Sequence, residues 1–277
     1  METDEGPDVR YISSGRSWLR LDLKELWQAR ELLYFLAWRD IKVRYKQTAI
    51  GILWVVLQPV MTTAVLTAIF STFARFDTSP TPYPLFALSG IVVWVFVYTA
   101  ITMTSNSFVI NANMVTKVYF PRLIVPLSAT LACAFDLLIS LPVLIVLMVY
   151  YGIAPTWQLV LSPLFIILVF VQTAAFGIFF SALTIRFRDV KFTLPFLLQI
   201  WMLASPVFYP VSLLPEKWRL VFAINPLTGM IEGFRASLIG TAFDWPAIGV
   251  SLISILVIVA GSVFVFRRME DDFADLI

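Results

Sequence analysis

The stretch RDIKVRYKQTAIGILWVVLQP, residues 39–59, decides how the chain is read. Its first half carries Arg39, Lys42, Arg44 and Lys46, and its second half opens an apolar run from Gly51 to Phe73 that holds no charge. A run of about 20 apolar residues can cross the ~30 Å hydrocarbon core of a bilayer as a helix. Lysine and arginine collect on the cytoplasmic side of such spans. The stretch therefore sets the first membrane crossing and its direction, outward from the cytoplasm.

Composition points the same way. The 277 residues are 60% hydrophobic and 14% charged, against nearer ~25% charged in soluble domains, so the chain is a polytopic membrane protein. There is no histidine, which removes imidazole metal ligands and histidine proton relays. The single cysteine, Cys133, lies in an apolar run and reads as a small buried side chain.

Upstream of the quoted stretch, the first residues are polar and acidic and lack the apolar core of a cleavable signal. The first span is thus expected to direct insertion itself. In residues 18–38, Leu23, Leu26, Trp27, Arg30, Tyr34, Ala37 and Trp38 recur at helical spacing. Asp22 is placed to cap this helix, with Glu25 in capping-box register, and the rings, Trp18 included, suit the headgroup layer. The pattern predicts an amphipathic interfacial helix within a cytoplasmic segment, residues 1–48.

Downstream, three prolines in residues 74–84 force a stiff turn, and a second span runs from about Leu85 to Ser105. Residues 107–120 turn polar at Asn111, Asn113 and Thr116, with Phe108, Val109, Met114 and Val115 as an apolar face. They predict a short amphipathic cytoplasmic helix ended by Phe120-Pro121-Arg122. A third span, Leu123 to about Tyr150, contains Pro126 and Pro142. The fourth, about Leu159 to Ile185, lands on the basic turn Arg186–Lys191, and a short fifth runs from about Phe192 to Tyr209. Residues 210–240 are too apolar for a free loop and too interrupted for a span; two short re-entrant helices dipping into the outer leaflet satisfy both facts. The last span, about Ala247 to Phe266, ends at Arg267-Arg268 before an acidic cytoplasmic tail, residues 269–277.

The expected fold class is all-α integral membrane, with six transmembrane helices over residues 49–268. Sixteen of the 20 basic residues then lie on the cytoplasmic side with both termini; only Arg75, Lys217, Arg219 and Arg235 lie outside.

The chemistry is sparse. No glycine is followed by lysine, so no P-loop can cradle a nucleotide. No Asp-x-Asp or acidic cluster suits a divalent metal for glycosyl or phosphoryl transfer. Asp136 is the one charge set deep in a span, where a central aspartate costs about 2.5–3.5 kcal/mol on insertion scales. The spans offer no basic partner, so Asp136 is expected to be protonated or bonded to hydroxyls such as those of Ser128 and Ser140. Structural and ion-coupling roles are both open. Trp54, Gln58 and Thr62 share a stripe of the first span, and Trp201, Ser205 and Phe208 share one of the fifth. Such stripes either line a path for sugars, which stack on rings and seek hydrogen bonds, or serve ordinary helix packing.

RDIKVRYKQTAIGILWVVLQP, KVYFPRLIVP (117–126), RFRDV (186–190), SPVFYP (205–210) and NPLTGMIEGFR (225–235) occur in that order. Together they resemble ABC-2 type permeases, and more narrowly the membrane subunits of O-antigen, capsule and teichoic-acid exporters. The resemblance implies a homodimer in the bacterial inner membrane, with a separate ABC ATPase bound to each subunit. It implies a lipid-linked polysaccharide as cargo, no cofactor on this chain, ATP-Mg bound by the partner, and no nucleic-acid ligand. The turns holding Lys117, Phe120, Pro121, Arg122, Arg186, Arg188 and Asp189 would then couple to the ATPase. An ATP-independent channel or carrier, or a membrane glycosyltransferase, are the readings from other classes.

Overall fold

The structure, a computed structural model, describes residues 23–46, 51–70, 78, 81–118, 120–270 and 273. Trp18, Asp22, Arg75 and most of the proline-rich turn lie outside the described residues, as does most of the acidic tail. Among the described residues all regular structure is helical.

α1 (Leu23–Gln28) and α2 (Arg30–Tyr45) are separated by a break at Ala29. α2 packs along α7 (Ile124–Tyr150) through a face holding Leu36 and Ala37, whereas Trp27, Tyr34 and Trp38 stay exposed. The single stripe expected over residues 23–38 is thereby corrected. Aliphatic residues make the contact, and the rings turn away, the arrangement a headgroup layer favours.

α4 (Tyr83–Ser105) is the axis of the bundle, buried along most of its length by α3 (Leu53–Ile69), α7, α8 (Ser162–Arg186), α9 (Val190–Leu203) and α11 (Pro226–Ile239). Among the described residues, four helical segments are long and apolar enough to cross a membrane: Tyr83–Ser105, Ile124–Tyr150, Trp157–Arg186 and Trp245–Glu270, the last being α12. The helices expected as first and fifth spans are shorter. α3 has 17 residues and α9 has 14, about 26 and 21 Å at ~1.5 Å per residue. α9 stops at Leu203, shortly before Pro206, which cannot donate to a continuing helix and disfavours helical geometry in Ser205.

The interrupted region resolves into a single 3₁₀ turn (Val211–Leu213), α10 (Glu216–Phe222) and α11. Local signals set the bounds of α11. The Asn225 side chain accepts from Leu227 N at its start, Pro226 occupies its first position, and Gly240, at φ 81°, ends it. Most of α11 is buried by α8, α12 and α4.

At the opposite end, the predicted amphipathic helix is two pieces, α5 (Ser107–Ile110) and α6 (Ala112–Lys117), broken at Asn111. Of its expected apolar face, Phe108 and Val115 are buried and Val109 is exposed. Phe108 joins Phe266 and Phe273 in a second core, with ring centroids 5.1 to 6.0 Å apart.

Candidate functional site

α2 ends where its polar side chains reach α7. Arg44 and Tyr45 both hydrogen-bond the carboxylate of Asp136, and Arg44 Nη2 lies 3.3 Å from Cys133 Sγ, about one turn earlier on α7. Arg44 and Asp136 are about one-fifth exposed. The expectation that Asp136 lacks a basic partner is corrected: the partner comes from the segment before the first apolar helix rather than from another span. Ser140 Oγ donates to the backbone oxygens of Asp136 (3.0 Å) and Val55 (3.3 Å), and Ser128 to Val125 O, so neither hydroxyl serves the carboxylate. Burial, with the bond to Asp136, raises the Tyr45 phenol above its ordinary pKa, keeping it a donor.

This cluster forms one end of a cavity of about 570 Å³ between α2, α3, α4 and α7. Trp54 and Gln58 line it, while Val55, Val92, Val95, Phe96 and Leu137 make its walls apolar. Trp54, Gln58 and Thr62 are all exposed on one face of α3.

The second stripe is built differently. Ser205 is fully buried; its hydroxyl donates to Trp201 O (2.7 Å) and accepts from Asn225 Nδ2 (2.8 Å). Trp201 Nε1 donates to Asn225 Oδ1 at 2.9 Å, and its ring meets Trp94 edge-on and Phe176 at 4.7 Å. Phe208 stacks on Phe70 at 5.8 Å. Within this chain the stripe braces the end of α9 against the start of α11.

The two turns singled out for a partner also differ. Arg122 donates to the backbone oxygen of Glu270 and lies 5.9 Å from the Phe273 ring centre. It holds the end of α12 and is not a free contact. Lys117 is exposed, Phe120 is half-buried against the second core, and Pro121 is half-buried. Arg186, Arg188 and Asp189 are all exposed. Arg39 Nη2 donates to Asn111 Oδ1 at 2.7 Å, fastening α2 to the break between α5 and α6.

One charged cluster escaped the sequence reading. Arg235, 4% exposed, sits 3.6 Å from the centre of the Phe86 ring. It bonds Glu232 (2.5 Å), Ser89 Oγ (3.2 Å) and the backbone oxygens of Pro206 and Val207. A Cβ at Gly90 would come within 2.1 Å of Val207 O, so only glycine lets this turn lie on α4. The available signal was the i,i+3 spacing of Glu232 and Arg235 inside an otherwise apolar helix.

Comparison with known proteins places this arrangement. The sequence profile described as ABC-2 type transporter matches residues 31–239. A Myxococcus xanthus protein named O-antigen export system permease protein RfbA is 29% identical over 259 residues, covering 92% of this chain and 98% of that protein. A Klebsiella pneumoniae protein of the same name is 27% identical over 248 residues, 89% and 95% of the two chains. The polysialic acid transport protein KpsM of Escherichia coli is 26% identical over 202 residues, 70% of this chain and 76% of its own.

Proposed function

Because the chain belongs to the ABC-2 type transporter family, we propose that it is the membrane subunit of an ATP-driven exporter that moves a lipid-linked, O-antigen-like polysaccharide outward across the bacterial inner membrane. The observation that carries this reading is its near end-to-end similarity to two O-antigen export permeases. A capsule-type polymer is the second reading. It rests on the polysialic acid transport protein, whose similarity covers less of both chains.

In this reading α3 and α9 complete a set of six crossings, although their regular helices are short, and α10 and α11 dip into the outer leaflet. Both termini are cytoplasmic, which places α5, α6 and the Arg186–Asp189 turn towards a partner. The sequence has no Gly-Lys pair for a P-loop, so ATP-Mg binds a separate ABC ATPase, two copies serving a homodimer. The exposed Trp54, Gln58 and Thr62 face of α3 suits a sliding glycan, because rings and neutral polar groups hold sugars without trapping them.

The test is reconstitution in inverted vesicles. The chain alone should hydrolyse no ATP. With its ABC ATPase it should move a lipid-linked glycan into the vesicle lumen in an ATP-dependent way. ATP hydrolysis by the pure chain, or glycan movement without nucleotide, overturns the reading.

A further inference from the structure

We propose that the first half of α3 swings about Pro59 into the cavity it borders, with Ser140 as the latch that holds it in the position seen. The movement stands apart from the export reading. Its consequence, that Trp54 and Gln58 withdraw from a glycan path, rests on that reading.

Proline has no N–H, so inside a helix it leaves the carbonyl four residues earlier without its donor. In α3 that carbonyl belongs to Val55. Ser140 Oγ, on α7, lies 3.3 Å from Val55 O and 3.0 Å from Asp136 O. A hydroxyl has one proton to donate, and here two acceptors share it. Release of Val55 O leaves Ser140 bonded within its own helix, so the latch is weak. Cys133, Asp136 and Ser140 stand at i, i+3 and i+7 on one face of α7. That face holds both the end of α2 and the start of α3.

The packing of α3 changes at the same proline. Pro59 and Thr63 are buried, and Leu66, three residues further on, packs against the main core. At helical spacing this face continues back to Val55 and Ile52. Neither is buried: Val55 lines the cavity, and Ile52 is 45% exposed. The cavity, about 570 Å³, opens where the face comes away from Val92, Val95, Phe96 and Thr99 of α4. Proline is a common cause of helix kinks. Closing the gap replaces a void with side-chain packing, which drives helix association in membranes. It costs one share of a hydrogen bond. The two effects oppose each other, as a reversible hinge requires. Trp54 and Gln58 belong to the hinged half and line the cavity as well as the exposed face of α3, so they move with it.

The first experiment uses the full chain in nanodiscs without ATPase or glycan, so it can fail without touching the export reading. In a Cys133→Ser background, Val55→Cys and Thr99→Cys place one thiol on each side of the cavity. Mild oxidation joins them only when their Cα atoms come within about 7 Å. Ser140→Ala should speed cross-linking several-fold, and Ser140→Thr, which keeps the hydroxyl, should not. Pro59→Ala gives Val55 O a donor within its own helix and should slow cross-linking several-fold. In the Pro59→Ala background, Ser140→Ala should then have no further effect, whereas general loosening of the fold would speed every variant. No disulfide at all, no slowing by Pro59→Ala, or an equal effect of Ser140→Ala with and without Pro59 overturns the proposal. In the reconstituted exporter, Val95→Phe fills the space into which the hinged half moves. It should lower glycan movement several-fold with ATP hydrolysis retained, and movement at the unaltered rate overturns the withdrawal of Trp54 and Gln58. Absence of glycan movement by the unaltered complex would count against the export reading instead.

Discussion

Arg44 and Asp136, 92 positions apart in the chain, form the ion pair that ties the helix before the first apolar helix to the middle of α7. Removing one partner of a buried pair typically destabilises by ~3–5 kcal/mol, because a charge is left without compensation. With both groups about one-fifth exposed, Arg44→Gln and Asp136→Asn should each fall at or below the low end of that range. The double variant should recover part of the loss. Thermal unfolding in detergent of the two single variants and the double variant measures this, and strictly additive losses would show that the pair does not act as a unit.

Gly90 and the turn after α9 give a sharper steric case. Gly90→Ala places a methyl group against Val207 O and beside the Arg235 guanidinium. Overpacking of this kind costs ~1–3 kcal/mol, so the unfolding midpoint should drop clearly. Gly249→Ala, which meets nothing within 4 Å, should leave it unchanged.

The two polar stripes should answer differently to thiol chemistry. In a Cys133→Ser background, Gln58→Cys should react readily with a membrane-impermeant maleimide when the complex is active. Ser205→Cys should stay protected, since Ser205 is fully enclosed within its own chain. Rapid labelling at Ser205 would mean that the Trp201–Asn225 brace opens during turnover.

The contact of Arg122 with the end of α12 predicts a shared phenotype. Arg122→Ala and Phe273→Ala should each lower the amount of glycan moved per ATP hydrolysed by the reconstituted complex. The double variant should be little worse than either single one. Additive losses would assign Arg122 a contact of its own outside this chain.

Much of the fold could be read from hydropathy and punctuation. The long apolar runs lie close to the observed long helices, whereas the interruptions of residues 210–240 did not reveal that Pro226–Ile239 is one continuous helix. What could not be read was pairing across the bundle. Asp136 looked alone because its partner lies outside every apolar run, and periodicity along one helix says nothing about which polar end meets it. Trp201, Ser205 and Phe208 do not share a helix face, because α9 ends at Leu203, and Ser205 instead meets Asn225, twenty positions later. Arg235 was legible only as one of four basic residues on the outer side; that Phe86, Ser89 and the carbonyls of residues 206 and 207 enclose it was not.

The Arg44–Asp136 pair also bears on how the protein is made. At ~5–20 residues per second, Asp136 leaves the ribosome about 5 to 20 seconds after Arg44. The arginine and Tyr45 are therefore already waiting beside the first apolar helix when the carboxylate reaches the bilayer. In the reverse order, the aspartate would have to linger unpaired among lipid chains until its partners were synthesised. Biosynthesis thus supplies the cation before the anion, and α7 can settle as soon as it emerges.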